Sequence, residues 1–281
     1  MVNVSFFGVR GSTPCPSPAN ARYGGNTACV VVDLPGADPI LFDLGTGLRS
    51  YGDTLPAGEP FNGAAFVSHL HWDHVQGLPF FAPVLRAGAH LDVYGPAPEP
   101  GLSLADAFAG FMRPPYFPVT VEQLPGHVTF IDLAGASVEL GEATVTAGDV
   151  PHVGVTNGYR LDALGRSIAY ISDHQQPAAG DLTVAESVID LARDVDLLIH
   201  DAQYTDDEFD AKCDWGHCTV AYAVNVAVAA SARRLALFHH DPAHDDTTLD
   251  CLLAAARRLA PPDLEVIAAY EGLTVSMQGT R

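Results

Sequence analysis

Metal-ligand side chains are concentrated in one stretch of the sequence, His69-Leu70-His71-Trp72-Asp73-His74, which directly follows the apolar run Ala64-Ala65-Phe66-Val67-Ser68. The run is short, apolar and preceded by Gly63, as expected of a buried strand. Alternate residues of an extended chain point the same way, so His69 and His71 should face one side together. Three imidazoles and a carboxylate within six residues are typical ligands of zinc and similar divalent ions, whereas a solvated turn would favour glycine, asparagine and serine. The stretch therefore predicts a metal site at the end of a strand.

The pattern His-x-His-x-Asp-His after an apolar strand resembles the first motif of the metallo-β-lactamase superfamily. Two earlier segments, Phe6 to Pro14 and Tyr23 to Thr27, are similar to a bacterial branch that is related to ribonuclease Z and to cyclic-phosphate diesterases. Matching segments recur to about His244, so the resemblance covers nearly the whole chain. It implies an α/β (α+β) fold in which two sheets pack face to face with helices outside, the four-layer αββα sandwich.

The composition predicts a substantial core and limits the partners. The chain has 281 residues, of which 48% are hydrophobic, and we find no linker-like segment, so residues 1–281 are expected to form one domain. It carries 14 basic and 34 acidic residues, and Lys212 is the only lysine. Affinity for nucleic acid comes mostly from Lys and Arg on phosphates, so a net charge of −20 makes a nucleic-acid partner unfavourable. We expect a small-molecule substrate instead.

Several features predict a cytoplasmic protein. No apolar stretch is long enough to span a bilayer, and Met1 to Ser5 lacks the basic residues that open a signal peptide. The five cysteines are odd in number and match no disulfide framework. Cys213 and Cys218 flank His217, but their spacing is not that of a close zinc-binding pair, so free thiols are expected. The oligomeric state stays open, a homodimer included.

Strand-like runs come in quick succession and helices follow them. Short apolar runs predict strands that end near Asp43, Ser68, Ser172, His200 and Phe238. Helices are predicted from Leu182 to Ala192 with Asp181 as the N-cap, from Thr219 to Ala232, and from Thr247 to Leu259. The proline-rich segment Arg113 to Pro118 cannot be regular structure, and it is either a plain loop or a wall of the substrate pocket.

A site with two metals needs more ligands than the first motif offers. From that motif we expect two pairs, His69 with His71 on one metal and Asp73 with His74 on the other. His152 lies in a loop after a strand, and this setting resembles that of the third-motif histidine of the superfamily. His127 is the weaker alternative, because its Pro-Gly-His setting is typical of a plain turn.

Two later strand ends supply the remaining ligands. Asp173 ends the apolar strand Ile168 to Ser172; in the resembling families this aspartate bridges the two metals, which a carboxylate can do with its two oxygens. Cysteine stands at this place in zinc-dependent β-lactamases, so Asp173 favours the phosphodiesterase or lactonase side of the superfamily. In Leu237 to Pro242, His239 matches the final metal histidine of ribonuclease Z, and His240 is the alternative.

Two further residues are the catalytic candidates. The segments His200 to Tyr204 and Gly216 to Thr219 resemble the His-Glu-Ala-Thr and Gly-His-Ser-Thr segments of ribonuclease Z. In that family the histidine stabilises or protonates the departing ester oxygen and the acidic residue orients it, roles that fall here to His217 and Asp201. Asp43, which precedes the turn Gly45-Thr46-Gly47, is a candidate support behind the metals.

These predictions indicate a dinuclear metal-dependent hydrolase acting on small or cyclic phosphodiesters. Two divalent ions, zinc or manganese, would supply hydroxide near neutral pH. One alternative is a lactone, thioester or β-lactam hydrolase on the same metal site. Another is a metal-dependent ligand sensor without turnover, which the complete set of expected ligands weakens. A di-iron redox protein would need a glutamate that the first motif lacks.

Overall fold

The computed structural model describes residues 1–177 and 181–279. In this part of the chain two seven-stranded sheets pack face to face, and helices cover the outer face of each sheet. The predicted four-layer αββα sandwich is confirmed. Among the described residues, no helix combines the length and the apolar character that crossing a bilayer would require.

The first sheet has the strand order β14-β1-β2-β3-β4-β5-β6. Its strands are β1 (Val2–Gly8), β2 (Cys29–Asp33), β3 (Ile40–Phe42), β4 (Asn62–Phe66), β5 (His90–Gly95), β6 (His127–Asp132) and β14 (Thr274–Met277). The second sheet has the order β13-β12-β11-β10-β9-β8-β7. Its strands are β7 (Ser137–Leu140), β8 (Ala143–Asp149), β9 (Asn157–Ala163), β10 (Arg166–Ile171), β11 (Leu197–Asp201), β12 (Arg234–Phe238) and β13 (Glu265–Ala268).

Helices lie on the outer face of each sheet. The first sheet is covered by α1 (Gly47–Thr54) and α3 (Leu104–Phe111), and the four-residue α2 (Trp72–Val75) follows β4. The helices that accompany the second sheet are α4 (Glu186–Ala192), α5 (Asp206–Lys212), α6 (Val220–Ala229) and α7 (Asp246–Leu259). Short 3₁₀ turns span Pro18–Asn20, Leu78–Phe80, Ala82–Leu85 and Val121–Gln123.

The alternation of side chains along each strand builds the layers. In β2, Val30 and Val32 point into the core between the sheets, whereas Val31 packs under the helices of the first sheet. In the second sheet, Tyr170 of β10 enters the same central core, and Ile171 beside it packs under the outer helices. Burial on both faces explains why these strands are continuous apolar runs in the sequence.

Strand direction places the functional residues at one edge of the sandwich. β3, β4 and β5 run parallel, as do β10, β11 and β12. β8 has the same direction as β10, because each pairs antiparallel with β9. The carboxyl ends of parallel strands meet at the same edge, where α/β sheets generally bind ligands. Asp201 is the last residue of β11, and the segments after β4, β8, β10, β11 and β12 carry the other predicted catalytic residue and all the predicted ligands.

Two helices of the structure differ from the expectation, one in its start and one because it was not predicted. The helix predicted from Leu182 begins only at Glu186. The Asp181 carboxylate accepts a hydrogen bond from the Thr183 amide at 2.8 Å, which is an Asx turn and not an N-cap. Helix α5 was not predicted, although Thr205 and Glu208 form a capping box at its start, and that pattern is visible in the sequence.

Candidate metal centre and active site

The first motif leaves the end of β4 and turns immediately into α2. His69 is 2% exposed, and its Nε2 lies 2.8 Å from Nδ1 of His71. The helical turn then reverses the chain, so that Asp73 and His74 point inward and Trp72 points to solvent, 63% exposed. The motif therefore presents two pairs of ligand side chains within one short segment.

One group of three histidines forms around the first pair. His69, His71 and His152 each place a ring nitrogen within 4.8 Å of the other two. Nδ1 of His152 donates to the carbonyl of Gly216 at 2.7 Å, which leaves Nε2 facing the group. Gly216 has a φ of +94°, and a Cβ there would lie 2.3 Å from the His152 ring. A glycine is needed at this position because of that close approach.

A second group forms around the other pair. Asp73, His74 and His239 also place their ligand atoms within 4.8 Å of one another. Oδ2 of Asp73 lies 3.0 Å from Nε2 of His239 and 3.2 Å from Nε2 of His74. All three side chains are buried.

Asp173 lies between the two groups. Its Oδ1 is 3.2 Å from Nε2 of His74, and its Oδ2 is 3.5 Å from Nε2 of His239. The same Oδ2 lies 3.9 Å from Nε2 of both His69 and His152. The Asp173 carboxylate therefore lies within 4 Å of side chains from both groups.

The residues present fit a pair of metal ions. Both carboxylate oxygens of Asp173 and Nε2 of His74 are buried and have no hydrogen-bond partner, although Oδ1 and Nε2 lie 3.2 Å apart. Buried polar atoms without partners are costly and rare. Cations bound to these atoms would satisfy them, and nitrogen and carboxylate oxygen are the donors that zinc accepts.

The electrostatics of the cluster favour positive charge. Burial opposes ionisation of Asp173, but His239 and His74 outweigh it and hold the pKa of Asp173 well below its usual range. Burial likewise disfavours charge on His74, yet the carboxylates of Asp73 and Asp173 raise its pKa well above the usual value. Burial lowers the pKa of His69 and of His152, which keeps both rings neutral as metal ligation requires.

Asp43 orients His74 from behind. Its Oδ2 lies 2.7 Å from Nδ1 of His74 and accepts hydrogen bonds from Tyr170 at 2.6 Å and from the Ser68 hydroxyl at 2.9 Å. The Ser68 amide donates to Oδ1 at 2.7 Å. A carboxylate behind a ligating histidine fixes the tautomer and the ring orientation. The structure places Asp43 behind His74, in a position from which it can support that ring.

Gln203 has the same relation to His239 and was not predicted. Its Oε1 lies 2.8 Å from Nδ1 of His239, which leaves Nε2 of that ring for the second group. Gln203 follows the β11 end in the Asp201-Ala202-Gln203 segment. The only indication in the sequence was that Gln203 lies two residues after Asp201, a predicted catalytic residue.

His217 and Asp201 come together beside the second group. Nδ1 of His217 lies 3.0 Å from Oδ2 of Asp201 and 3.6 Å from Oδ2 of Asp173. The His217 ring stacks on that of His239, with centroids 5.0 Å apart. Asp201 also accepts hydrogen bonds from the backbone amides of His174 and Gln203, so its carboxylate is held in place.

The alternative ligands lie outside this cluster. His127 is exposed at the start of β6, where its ring stacks on His90. His240 is buried, but its Nε2 donates to the carbonyl of Ala269. Arg113 does not line the pocket above the cluster; its Nε donates to the carbonyl of Gly110.

A pocket of about 580 Å³ opens above the cluster. Asp73, Asp173 and His217 form part of its lining. Ser12 lies at its wall with a φ of +60°, and its amide donates to Oδ2 of Asp73 at 2.7 Å. Trp72 and Trp215 also line it, a role that the sequence did not reveal.

Paired sheets with histidines and aspartates gathered at the carboxyl ends of their strands define a metal-dependent hydrolase with the metallo-β-lactamase fold. The chain belongs to the β-lactamase superfamily, because the family model described as "Beta-lactamase superfamily domain" matches residues 39–240. The predicted membership of this superfamily is thereby confirmed.

Known relatives agree with this assignment. A ribonuclease Z of Natronomonas pharaonis is 28% identical over 85% of this chain and 86% of its own length. Human tRNase Z, short form, is 25% identical with a TM-score of 0.68, covering 98% of this chain and 99% of that one. The metallo-β-lactamase fold protein YhfI from Bacillus subtilis has a TM-score of 0.73 at 19% identity, with 98% of both chains covered, and shows the shared fold. The resemblance to the ribonuclease Z branch is also confirmed.

Proposed function

We propose that this protein is a phosphodiesterase that hydrolyses small or cyclic phosphodiesters with two divalent metal ions, zinc or manganese. The observation that carries the proposal is the pair of buried ligand groups with Asp173 between them. Seven ligand side chains are more than one tetrahedral zinc ion can use. The relatives named ribonuclease Z support phosphodiester hydrolysis as the reaction class.

The proposed assignment gives each ion three ligands and the shared carboxylate. His69, His71 and His152 would hold one ion, and Asp73, His74 and His239 the other. When bound, two such ions would activate a water molecule as the nucleophile and offset the negative charge of the phosphate oxygens. Asp43, Gln203 and the Gly216 carbonyl keep three of the imidazoles in the required orientation.

His217 is proposed to assist the departing ester oxygen. Its Nδ1 faces the Asp201 carboxylate, so Nε2 is the nitrogen left to carry a proton toward the substrate. Asp201 holds the ring in this orientation, because its Oδ2 lies 3.0 Å from Nδ1 and is itself fixed by two backbone amides. Proton donation to an alkoxide leaving group is general acid catalysis.

We propose a compact substrate even though the relatives are named for action on RNA. The chain carries a net charge of −20, and no lysine or arginine lines the pocket among the described residues. A long polyanion would gain little from such a surface. The five cysteines are free thiols in the structure, in keeping with the cytoplasmic location that we propose. We also propose a single domain, since both sheets fill one shared core.

The test is a substrate panel combined with metal analysis on the same purified sample. We expect about two zinc or manganese ions per chain and hydrolysis of phosphodiesters in preference to phosphomonoesters, lactones and β-lactams. One metal per chain at full loading would contradict the dinuclear assignment. A preference for lactones or β-lactams would move the protein to another reaction class on the same site.

A further inference from the structure

Both tryptophans of the chain lie at the pocket above the proposed metal centre. Trp72 and Trp215 are the only two in the sequence, and both line the pocket that contains Asp173 and His217. They are 63% and 61% exposed. Large aromatic side chains left open to solvent beside a pocket are typical of binding surfaces, because an indole offers a wide apolar face with little conformational entropy to lose.

The two indoles are tied to the centre from different halves of the molecule. Trp72 stands between His71 and Asp73, after a strand of the first sheet, and its ring contacts that of Phe111 with centroids 5.6 Å apart. Trp215 lies two residues before His217, and the Lys212 ammonium is 5.7 Å from its ring centroid. Each indole is held by a neighbour and keeps more than half of its surface open.

The charges around the pocket limit what the indoles can bind. Asp214 joins Asp73 and Asp173 in the lining, and no lysine or arginine does so among the described residues. Lys212, the sole lysine, is paired with Asp241 at 3.2 Å and lies over the Tyr204 ring. Asp73 and Asp173 are proposed to hold the cations, so Asp214 is the acidic lining residue that a second phosphate would meet without a basic partner in the lining. A flat uncharged ring would meet no such repulsion.

We propose that Trp72 and Trp215 are specificity-determining residues that stack against a nucleobase, so that the substrates are nucleoside phosphodiesters with a single phosphate, such as cyclic mononucleotides. The inference rests on the proposed function, since it places the phosphate at the metal centre. Every nucleobase has a π face, so stacking gives preference for a nucleoside without selecting one base.

The two tryptophans also provide the measurement. Because the chain has no others, its indole fluorescence comes entirely from this pocket. We would titrate the zinc-loaded protein with AMP, with ribose 5-phosphate, which lacks the base, and with butyl phosphate, which is apolar without a ring. AMP should quench the fluorescence and bind more tightly than both controls. Equal quenching and affinity for all three ligands would overturn the proposal.

Substitutions separate stacking from general damage. Trp72→Ala and Trp215→Ala should each weaken AMP binding, measured by calorimetry, by about 5- to 150-fold, the range for loss of one aromatic platform. Ribose 5-phosphate should bind these variants as it binds the wild type, and Trp72→Phe should recover part of the loss. Tyr116→Ala is the matched control, because Tyr116 is 72% exposed and lies outside the pocket lining. AMP affinity unchanged in both tryptophan variants would refute the role.

The outcome is independent of turnover. If AMP binds with the expected dependence on the two indoles but no phosphodiester is hydrolysed, stacking stands and the proposed reaction fails. If bis(4-nitrophenyl) phosphate is hydrolysed while AMP shows no advantage over ribose 5-phosphate, the reaction stands and the stacking proposal fails.

Discussion

Replacing Asp43 with asparagine should lower metal affinity and stability, although Asp43 is not itself a proposed metal ligand. Asp43 is fully buried and its carboxylate receives four hydrogen-bond donors, one of them Nδ1 of His74. Asparagine keeps the shape and one oxygen. It also tolerates the φ of +59° at this position, so the substitution adds no backbone strain.

The size of the effect of Asp43→Asn follows from the four hydrogen-bond donors that face the Asp43 carboxylate. An asparagine amide must point its NH₂ either at the Ser68 amide or at the three donors that share Oδ2, so at least one donor loses its acceptor. Leaving one buried donor unpaired costs about 1–3 kcal/mol. The other hydrogen bonds lose their assistance from charge, which is worth about half their strength. We expect the free energy of unfolding to fall by about 3–5 kcal/mol and metal affinity by about 10- to 100-fold.

The assay pairs this variant with Tyr170→Phe. Phenylalanine removes one donor to the same carboxylate but leaves its charge and its contact with His74. It should lower the free energy of unfolding by about 1–2 kcal/mol with little change in metal affinity. Denaturant unfolding of the metal-free protein and competition with a chelator measure the two quantities. If Asp43→Asn bound metal as tightly as Tyr170→Phe, the reasoning that the carboxylate orients His74 would be refuted.

Three further outcomes are expected. Asp173→Ala should weaken the binding of both metal ions, and His152→Ala mainly the binding of one, as measured by metal content during chelator titration. Full metal content and full activity in Asp173→Ala would disprove the bridging role of Asp173. His217→Ala should slow alkyl or nucleoside diesters about 10²–10⁴-fold more than nitrophenyl diesters, which need little protonation, with metal content unchanged; loss of metal would instead make it a ligand. Gly11→Ala should reduce metal affinity, because its Cβ would lie 2.4 Å from the ring of His239. Gly110→Ala is the control: the space around Gly110 is open, so this variant should bind metal as the wild type does.

Much of this site is encoded locally. The first motif places four ligand side chains in six residues after an apolar run, so no knowledge of the fold is needed to predict a metal there. Asp173 and His152 were also accessible, because each follows a strand and matches a motif of the family. The predicted helix at Leu182 was wrong in its start because Asx turns and N-caps use the same residue types and the same type of hydrogen bond.

Neighbouring candidates could only be separated by the tertiary structure. His239 and His240 are adjacent, and both follow β12. A φ of +56° at His239 turns its ring into the cluster, whereas His240 points toward Ala269. The alternation of a strand predicts side-chain direction only as far as the strand extends. Beyond its end, the backbone conformation depends on the residues that pack around it.

The sequence by itself determined the superfamily, and it predicted the candidate ligands and the strands that carry them, since these depend on residue chemistry and on local periodicity. The tertiary structure decided which of the candidate side chains lie close enough together to share a cation and which side chains orient them. Three of these arrangements join residues that are far apart in the sequence. Gln203 lies behind His239, Asp173 lies between the two groups, and Trp72 and Trp215 line one pocket. They arise because parallel strands from two sheets end at the same edge of the sandwich, a consequence of packing that no local pattern encodes.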